Sequence, residues 1–531
     1  MRIAIVVCLL GALLVRVFAS PIAEILPVVD YSVINIVSLL LCFIALQVLL
    51  AWFCFRSSYA PRVRYGVLAG AIGAAIIGAA TLRVEGVDGN MLPRVVARWQ
   101  PSADARLGRI EPPASDLATD SPASVYRESA EPEQDFPQFL GPDRNNYLSG
   151  PTLATDWQAT PPKQLWRQPI GAGWSGFAVV GGRAITMEQR GAEEWVTCYA
   201  LETGRPLWGH AITARHETTM GGIGPRATPT IHGERVYAHG ATGVVRCLEL
   251  ATGRLVWQDD LLKRYGVTPA QEQVSVAWGR ANSPLILDDV LDGLVVLPAG
   301  GNKPATRSLI AYRQETGDVA WEGGSEQISY ASPVDATLCG VRQILTVNES
   351  SVAGHDPVSG AELWQFPWAG FSGGNASASQ PHVIAGDRVF ISKGYGGGAA
   401  VWQIALAGGK WTVREIWHKA AVLRTKFTNV VILDGHAYGL SDGILECVDL
   451  TTGQSRWKKG RYGHGQVLGV GKLLLVQSKP GPVALVSASP DKYTELARFP
   501  GLDSNTWANP TLSGHRLLLR SSTEAACYEL P

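Results

Sequence analysis

A recurring Thr-Gly-x-x-x-Trp pattern constrains the fold more than any other feature of this 531-residue chain. Glycine after threonine permits the positive φ of a tight hairpin, and the tryptophan supplies a large apolar plate. The tryptophan, or a substitute, recurs at Trp166, Trp208, Trp257, Trp321, Trp364, Trp417, Trp457 and Phe499. Repeats of about 40–50 residues are typical of four-stranded propeller blades. The pattern therefore predicts eight blades.

A second sequence marker recurs at the same spacing as the tryptophans and gives the same number of blades. Each copy has a strand start, which is marked by proline in Thr228-Pro229, Ser283-Pro284, Ser332-Pro333, Gln380-Pro381 and Asn509-Pro510. The last copy, Trp507 to Leu530, stops before its tryptophan, whereas Trp166 has no strands before it. We predict that the Trp166 strand completes the last blade, because this closure removes two exposed sheet edges. The predicted fold class is all-β, an eight-bladed β-propeller over residues 136–531.

Residues 1–85 are predicted to be a membrane anchor. Residues 3–19 are mostly apolar, and they are either a signal peptide cleaved after Ala19 or an uncleaved first span. Residues 32–55 carry no charge and are long enough to cross a hydrocarbon layer of ~30 Å as a transmembrane helix. Residues 66–82 form a further span, in which Gly70 and Gly78 place small residues on one helix face. A merely flexible Gly/Ala stretch is the alternative for residues 66–82.

Charge predicts the orientation of these spans. The turn between the last two spans holds Arg56, Arg62 and Arg64 and no acidic residue, whereas Glu24 and Asp30 precede the first of them. The positive-inside rule places the arginine turn in the cytoplasm. The propeller is then expected on the extracytoplasmic, periplasmic side of the cytoplasmic membrane. Residues 86–135 between anchor and propeller are rich in Pro, Ala, Ser, Asp and Glu, a composition that predicts a disordered linker.

With these repeats, the chain resembles the pyrroloquinoline-quinone-type (PQQ-like) propeller repeat proteins. That superfamily includes quinoprotein alcohol dehydrogenases and the outer-membrane assembly propeller lipoprotein. The segment Phe136-Pro137-Gln138-Phe139-Leu140-Gly141-Pro142 is similar to the opening of membrane or secreted bacterial members. The resemblance implies the propeller fold and does not imply the cofactor, because many members bind no quinone.

The cysteines indicate packing rather than redox chemistry. Cys198, Cys247 and Cys447 each precede a repeat glycine by six residues, and Cys527 occupies the matching strand of the last copy. Equivalent positions in separate blades are expected to lie too far apart for disulfides. We interpret these cysteines as buried free thiols. Pairing of one of them to Cys339 is the alternative.

The sequence assigns no catalytic residue. The resemblance implies that a quinoprotein alcohol dehydrogenase would carry adjacent cysteines, calcium-binding acidic and amide residues, and a catalytic aspartate. The chain has no Cys-Cys pair, no Cys-x-x-Cys-His haem motif and no cluster with zinc-ligand spacing. We therefore expect no metal site and no cofactor, although the resemblance leaves pyrroloquinoline quinone with calcium as an option.

Residues just before each strand start are expected at one mouth of the central channel. Around the ring these are Trp174, Arg226, Arg280, Tyr330, Ser377, Lys426, His464 and Trp507. Three are basic and none is acidic. Convergent donors and aromatics in a concave mouth predict an anion or polar-ligand site, with Trp174, Arg226, Arg280, Tyr330, Lys426, His464 and Trp507 as its candidate residues. The alternative is that they are ordinary solvated residues of the rim.

Two further segments have two interpretations each. Within the long insertion Asp259 to Trp278, residues 261–265 form either a short amphipathic helix over the funnel or a loop packed on the blade edge. Residues 142–146 form either a ligand contact or a turn that caps the propeller.

The 46 basic and 46 acidic residues balance, which argues against a nucleic-acid partner. We predict a non-catalytic binding or scaffolding module at the cytoplasmic membrane, with a protein partner or a small polar or anionic ligand at the funnel. A PQQ-dependent dehydrogenase with unconventional site residues is one alternative. A sensor of a small ligand or anion is another.

Overall fold

The computed structural model describes residues 2–18, 31–110, 135–302 and 305–531. The chain divides into two compact units, one of Met1–Ser102 with Thr218–Gly222 and one of Ala103–Glu217 with Ile223–Pro531. The cleavage site predicted after Ala19 and residues 111–134 of the linker predicted over 86–135 lie outside the described residues.

Within its described residues, the first unit contains three helices: α1 (Arg2–Val17), α2 (Tyr31–Arg56) and α3 (Pro61–Thr81). Two segments, Ser32–Arg56 and Pro61–Thr81, are long and apolar enough to cross a membrane. Helix α3 begins five residues earlier than predicted because Pro61, whose φ is preset for a helix, occupies its first turn. The arginines of the predicted turn therefore lie at the α2–α3 junction.

Helix α1 packs antiparallel along α2. A Cβ at Gly11 would touch Leu41, and the Arg16 guanidinium donates to Asn35 Oδ1 at 3.4 Å. By contrast, the small-residue face of α3 has no neighbour within 4 Å at Gly70 or Gly78 among the described residues. A helix contact through that face stays a prediction.

The prediction of a disordered linker is wrong for part of its length. Leu82–Val87 and Pro93–Ala97 pair as an antiparallel hairpin. Its turn is closed by Asp88, whose side chain accepts hydrogen bonds from Asn90 N at 2.9 Å and Leu92 N at 2.8 Å. The β-branched residues of the two strands favour extended backbone, and this signal outweighs the polar composition of the surrounding segment.

Residues 103–110 were also expected in the linker, but they belong to the propeller unit. Gly191 N donates to the carbonyl of Asp104 at 3.0 Å, and Arg190 donates to the carbonyl of Gly108 at 3.0 Å. Arg109 forms an ion pair with Glu193 at 2.8 Å. These contacts are local to the first blade, and nothing in the composition of the segment signals them.

The second unit is the predicted ring of eight antiparallel sheets. Blade 1 consists of Ala178–Val180, Arg183–Arg190, Glu193–Ala200 and Pro206–Thr213, and blade 2 of Thr230–His232, Arg235–His239, Val244–Glu249 and Leu255–Asp260. Blade 3 consists of Leu285–Leu287, Leu294–Gly300, Arg307–Arg313 and Val319–Gly323, and blade 4 of Val334–Leu338, Val341–Val347, Ser351–His355 and Glu362–Pro367. Blade 5 consists of His382–Ile384, Arg388–Lys393, Gly398–Ala407 and Lys410–Lys419, and blade 6 of Val431–Leu433, His436–Ser441, Ile444–Asp449 and Ser455–Arg461.

The last two blades complete the ring. Blade 7 consists of Gln466–Val470, Leu473–Gln477, Val483–Ser487 and Glu495–Phe499, and blade 8 of Thr511–Ser513, Arg516–Arg520, Glu524–Glu529 and the early strand Lys163–Pro169. Trp166 lies opposite Cys527 in this closing pair, which confirms the predicted closure. Cysteine also faces tryptophan in three other blades. All eight cysteines are free, and the four that face a tryptophan are buried, as expected.

In five blades the indole is clamped by the turn of the next blade. Trp208 Nε1 donates to the carbonyl of Leu250 at 2.9 Å, and the same ring lies against Gly253. A Cβ at Gly253 would sit 2.4 Å from the ring, and Gly253 has a φ of +71°. The turn glycine is therefore required both by its backbone conformation and by the indole that packs on it. Trp166, Trp257, Trp321 and Trp417 repeat the arrangement.

Blade 4 departs from this rule because blade 5 lacks the short turn. Trp364 Nε1 donates to Gln343 Oε1 at 2.6 Å within its own blade. Its neighbour Phe366 stacks on Trp402, from the long third strand of blade 5, with centroids 4.5 Å apart. The long hairpin of blade 5 thus replaces the missing clamp with aromatic stacking.

Residues 135–148 cap the channel. Phe136 forms an antiparallel β-bridge with Val179 of blade 1. Arg144 donates at 2.8 Å to the carbonyl of Pro284, the residue that precedes the first strand of blade 3. Asn146 donates to the carbonyl of Val467 in blade 7 at 2.8 Å, and the strand Tyr147–Leu148 runs parallel to the inner strand of that blade. Of the two interpretations of residues 142–146, the structure therefore supports the capping turn.

Candidate functional site

Hydrogen bonds join the strand starts of neighbouring blades. Thr228 N donates to Ser283 Oγ at 3.0 Å, and Ser283 N donates to Ser332 Oγ at 2.9 Å. The same step recurs between Gln380 N and Asn429 Oδ1 at 2.7 Å. In each of these three steps, one strand start donates a backbone hydrogen to a side chain at the strand start of the next blade. These bonds hold the preceding loop segments together at one end of the channel, which we call the funnel face.

Aromatic side chains from these loops form one continuous cluster, the funnel cluster, which comprises Trp174, Trp278, Tyr330, Tyr395, Phe427, His464 and Trp507. In one half of it, the rings of Trp174 and Trp507 have centroids 4.7 Å apart, and Phe427 lies 5.3 Å from Trp507. His464 meets Phe427 edge-on at 5.9 Å. Gln466 fixes this half by donating to the carbonyls of Phe427 at 3.0 Å and Trp507 at 2.7 Å.

The other half of the cluster centres on Trp278. Its indole stacks on Tyr330 with centroids 5.1 Å apart, lies 6.1 Å from Tyr395 and meets Phe427 edge-on at 5.9 Å. The ammonium of Lys426 lies 5.3 Å from the centre of the Tyr395 ring, a cation–π distance. The cluster therefore joins loops from opposite sides of the ring through ring-to-ring contacts.

The structure brings five of the seven predicted site residues into this cluster or against it. They are Trp174, Tyr330, Lys426, His464 and Trp507. Arg226 lies close enough to Tyr330 for each to affect the pKa of the other. Ser377 is buried, and its carbonyl accepts a hydrogen bond from Tyr330 N at 2.9 Å. That these residues bind a ligand stays a prediction.

The Arg280 side chain is not part of the funnel cluster, although its position in the repeat predicts that it should be. Its side chain is fully buried, with Nε donating to Glu272 at 2.8 Å and Nη1 donating to the carbonyl of Ala299 at 2.7 Å. Glu272 comes from a helix of the insertion, whose fold the repeat register does not determine. Arg280 therefore anchors the insertion. Burial is the main cause that raises the pKa of Tyr330, and two acidic residues outside the predicted set, Glu272 and Glu349, raise it further.

Sequence reasoning missed Trp278, Tyr395 and Phe427. Phe427 directly follows the predicted residue Lys426, and Trp278 comes two positions before the predicted residue Arg280. Their nearness in sequence to predicted site residues was the signal that could have found them. Tyr395 comes from the turn between the second and third strands of blade 5 and has a φ of +55°. No repeat marker covers that turn, and only the folded ring brings it to the funnel face.

Burial dominates the electrostatics of the funnel face. It lowers the pKa of Arg226 to about 10, so the guanidinium is still charged at neutral pH. It also lowers the pKa of His216 to about 3, with the charge of Arg226 as the second cause, so His216 is neutral there. Lys393 has a pKa of about 8, again because of burial. Near pH 7, Arg226 on this face is therefore charged, whereas His216 is neutral.

Two apolar side chains stand exposed at the rim of the funnel face. Val274 is 71% exposed and Phe371 is 52% exposed. The two segments meet at Gly373, where a Cβ would lie 2.5 Å from the Phe371 ring and 3.0 Å from the carbonyl oxygen of Val274. We call this pair the rim patch.

Hydrogen bonds to its backbone carbonyls fix the loop that carries Phe371. Lys393 Nζ donates to the carbonyls of Ala369 at 2.6 Å and Asn375 at 3.2 Å, which are the two ends of the loop. The Tyr330 hydroxyl donates to the carbonyl of Ser372 and accepts a hydrogen bond from Trp278 N at 3.0 Å. The rim patch is thus presented on a fixed backbone rather than a free loop.

The insertion also forms a cleft beside the funnel. Helices α4 (Leu261–Arg264) and α5 (Pro269–Ser275) follow blade 2, and Leu261 is buried against that blade. Residues 261–264 are therefore helical and packed on the blade edge. The cleft between α5 and the end of blade 1 has a volume of about 550 Å³ and is lined by residues of both charges, among them Lys263 and Glu217.

Comparisons with known proteins agree with this architecture. A family model described as "Outer membrane protein assembly factor BamB" matches residues 155–280 and 272–459, more than half of the chain. Among solved structures, quinohemoprotein alcohol dehydrogenase from Comamonas testosteroni has a TM-score of 0.53 at 12% identity, covering 77% of this chain and 84% of that one. BamB from Moraxella catarrhalis has a TM-score of 0.47 at 15% identity, covering 70% and 98% respectively. No curated protein sequence matches the chain.

Proposed function

The chain belongs to the family described as outer membrane protein assembly factor BamB, and from that premise we propose that it is a non-catalytic, protein-binding scaffold anchored in the cytoplasmic membrane. The two apolar helices α2 and α3 support the membrane anchor. Arg56, Arg62 and Arg64 at their junction support a cytoplasmic location for that end. In this proposal the propeller works on the extracytoplasmic, periplasmic side.

The rim patch carries the proposal. Exposed apolar side chains as large as Phe371, standing next to Val274 at a concave mouth, are typical of sites where a protein partner docks. The hydrogen bonds that fix this loop lower the conformational entropy lost on binding, which favours affinity. A preformed apolar rim around a mostly aromatic funnel thus fits a partner that inserts a short apolar segment.

Site-specific photo-crosslinking tests this proposal. A photoreactive phenylalanine derivative replaces Phe371, and the matched control replaces Val358, which is 53% exposed in the blade 4 turn that follows the third strand. We expect a discrete protein adduct from cell envelopes at position 371 and none at 358. The adduct should disappear in the Val274→Asp background. Equal labelling at both positions, or none at 371, would contradict the proposal.

The proposed orientation has a separate test. Alkaline phosphatase fused after Pro531 is active only when it folds outside the cytoplasm. We expect an active fusion in the full chain and an inactive one when Arg56, Arg62 and Arg64 are replaced by glutamate and two arginines are added before helix α2. An inactive fusion in the unaltered chain would contradict the proposed localisation.

A quinone-dependent dehydrogenase is the second candidate, because the fold is similar to a quinohemoprotein alcohol dehydrogenase. A planar quinone stacked between two aromatic rings needs about 7 Å between those rings, because it makes one van der Waals contact of about 3.5 Å on each face. The Trp174–Trp507 and Trp278–Tyr330 pairs, at 4.7 and 5.1 Å, are closer than that. Among the described residues, no group of three or more His, Cys, Asp or Glu side chains is placed to hold a metal ion. The close spacing of these two ring pairs favours the scaffold over a quinone bound between them.

Reconstitution separates the two candidates. The purified chain is incubated with pyrroloquinoline quinone and calcium, and bound cofactor is measured together with dye reduction. We expect neither stoichiometric uptake nor activity. Tight, stoichiometric uptake would overturn the scaffold proposal. A small-anion sensor predicts instead a thermal shift with the anion that is lost in Arg226→Ala and Lys426→Ala.

A further inference from the structure

We propose that the hairpin Leu82–Ala97 lies in the headgroup region of the bilayer, with one apolar face against lipid. The inference rests on the membrane anchoring proposed above. The first strand begins at Leu82, the residue directly after helix α3, so no linker separates the candidate span from the hairpin. The partner inferred for this surface is therefore the same bilayer that the helices cross.

The two faces of the hairpin differ in exposure and chemistry. Leu82 pairs with Ala97 and Val84 pairs with Val95, so these four side chains share one face. Leu82, Val84 and Val95 are 45%, 54% and 50% exposed. Arg83 pairs with Val96 on the opposite face, and its guanidinium donates to the carbonyl of Gln100 at 2.9 Å. An apolar face of this kind is costly in water and favourable against acyl chains.

Contacts with the helices fix the depth of the hairpin. Asn35 Nδ2 donates to the carbonyl of Asn90 at 2.9 Å, and Ser32 Oγ donates to the carbonyl of Gly89 at 3.3 Å. Both donors lie in the first turns of helix α2. At the other end, Arg98 Nε donates to the carbonyl of Ala79 in the last turn of α3 at 2.9 Å. The hairpin therefore crosses the ends of the two helices at the level where they leave the apolar layer.

The residue types around the hairpin match that level. Trp99, two residues after the second strand, is 75% exposed. Tryptophan is enriched at membrane–water interfaces because its ring is apolar and its N–H is polar. Arg83, Arg94 and Arg98 alternate with the apolar residues, and long basic side chains can reach lipid phosphates while their stems stay in apolar surroundings. Depth, exposure and residue type thus point to the same lipid surface.

Spin labelling of the full chain tests this inference. Single cysteines are introduced at Val84 and Val95 on the apolar face, at Val96 on the opposite face as the matched control, and at Leu40 in α2 as the lipid reference. Cys8, Cys42 and Cys339 are first replaced by alanine. The protein is reconstituted in vesicles of phosphatidylethanolamine and phosphatidylglycerol. Relaxation by oxygen, which concentrates in lipid, is compared with relaxation by a water-soluble nickel chelate.

We expect labels at positions 84 and 95 to be relaxed more by oxygen than by the nickel chelate, as the label at position 40 should be. The label at position 96 should be relaxed more by the nickel chelate. Water-exposed labels at 84 and 95 together with a lipid-exposed label at 40 would overturn the hairpin inference and leave the anchor standing. A water-exposed label at 40 would overturn the anchor and the inference with it. The two failures are therefore distinguishable in one experiment.

Discussion

The substitution Gly253→Ala tests whether the indole clamp holds the blades together. Gly253 has a φ of +71°, a conformation that costs a non-glycine residue about 1–2 kcal/mol. Its new Cβ would lie 2.4 Å from the ring of Trp208. Carbon atoms normally stay about 3.5–4.0 Å apart, so the indole must move by about 1 Å or more. That movement stretches the hydrogen bond from Trp208 Nε1 to the carbonyl of Leu250.

The magnitude follows from these contacts. Overpacking costs about 1–3 kcal/mol and the weakened hydrogen bond about 1 kcal/mol, in addition to the backbone cost. The matched control is Gly233→Ala in the same blade. Gly233 has a φ of +54°, and its Cβ would meet nothing within 4 Å. Both variants share the backbone cost, so the clamp should appear as an excess destabilisation of about 2–4 kcal/mol in Gly253→Ala.

Denaturant unfolding of the full chain in detergent, followed by tryptophan fluorescence, measures this difference. The Trp208→Ala background completes a double-mutant cycle, because removing the indole first should remove the excess cost of Gly253→Ala. Equal destabilisation by Gly253→Ala and Gly233→Ala would refute the reasoning. An excess cost that persists without the indole would refute it as well.

Three further predictions concern the propeller. Trp166→Ala should destabilise the ring by about 3–5 kcal/mol, since it removes the buried indole of the closing strand; an unchanged unfolding midpoint would argue against closure through this residue. A hydrogen bond from Arg498 is the main cause that lowers the pKa of Glu495 to about 2. The ionised Glu495 carboxylate therefore stabilises the fold above its ordinary pKa of 4.5, and this stability should be lost as the pH falls toward 2. The substitution Glu495→Gln should flatten that part of the acid unfolding curve. Burial raises the pKa of Cys247 and Cys447 to about 12, so these two thiols should resist alkylation by iodoacetamide in the native protein at pH 8. Mass spectrometry measures the labelling, and early labelling of either thiol would contradict its burial.

The candidate site was predictable only where it follows the repeat. Trp174, Tyr330, Lys426, His464 and Trp507 occupy the same position in successive copies, so the repeat register alone places them at one mouth of the channel. Trp278 lies in an insertion and Tyr395 in a turn that no marker covers. Their positions depend on how those loops fold, which is a long-range property.

Arg280 illustrates the same limit. It occupies the predicted position in the repeat, but the carboxylate of Glu272 lies 2.8 Å from its Nε and directs the side chain into the insertion. A buried guanidinium is stabilised by such a partner, so the choice of partner decides where the side chain points. The repeat pattern cannot reveal this because Glu272 belongs to a segment outside the repeat.

The sequence by itself determined the number of blades, the closure of the ring by Trp166 and the apolar helices, because each follows from a local, periodic pattern of residues. Only the tertiary structure decided the cap across the channel, the extra members of the funnel cluster, the rim patch and the apolar hairpin beside the helices. Those features depend on contacts between residues far apart in the chain. No local pattern encodes them, since each exists only after the ring and the helices have brought their parts together.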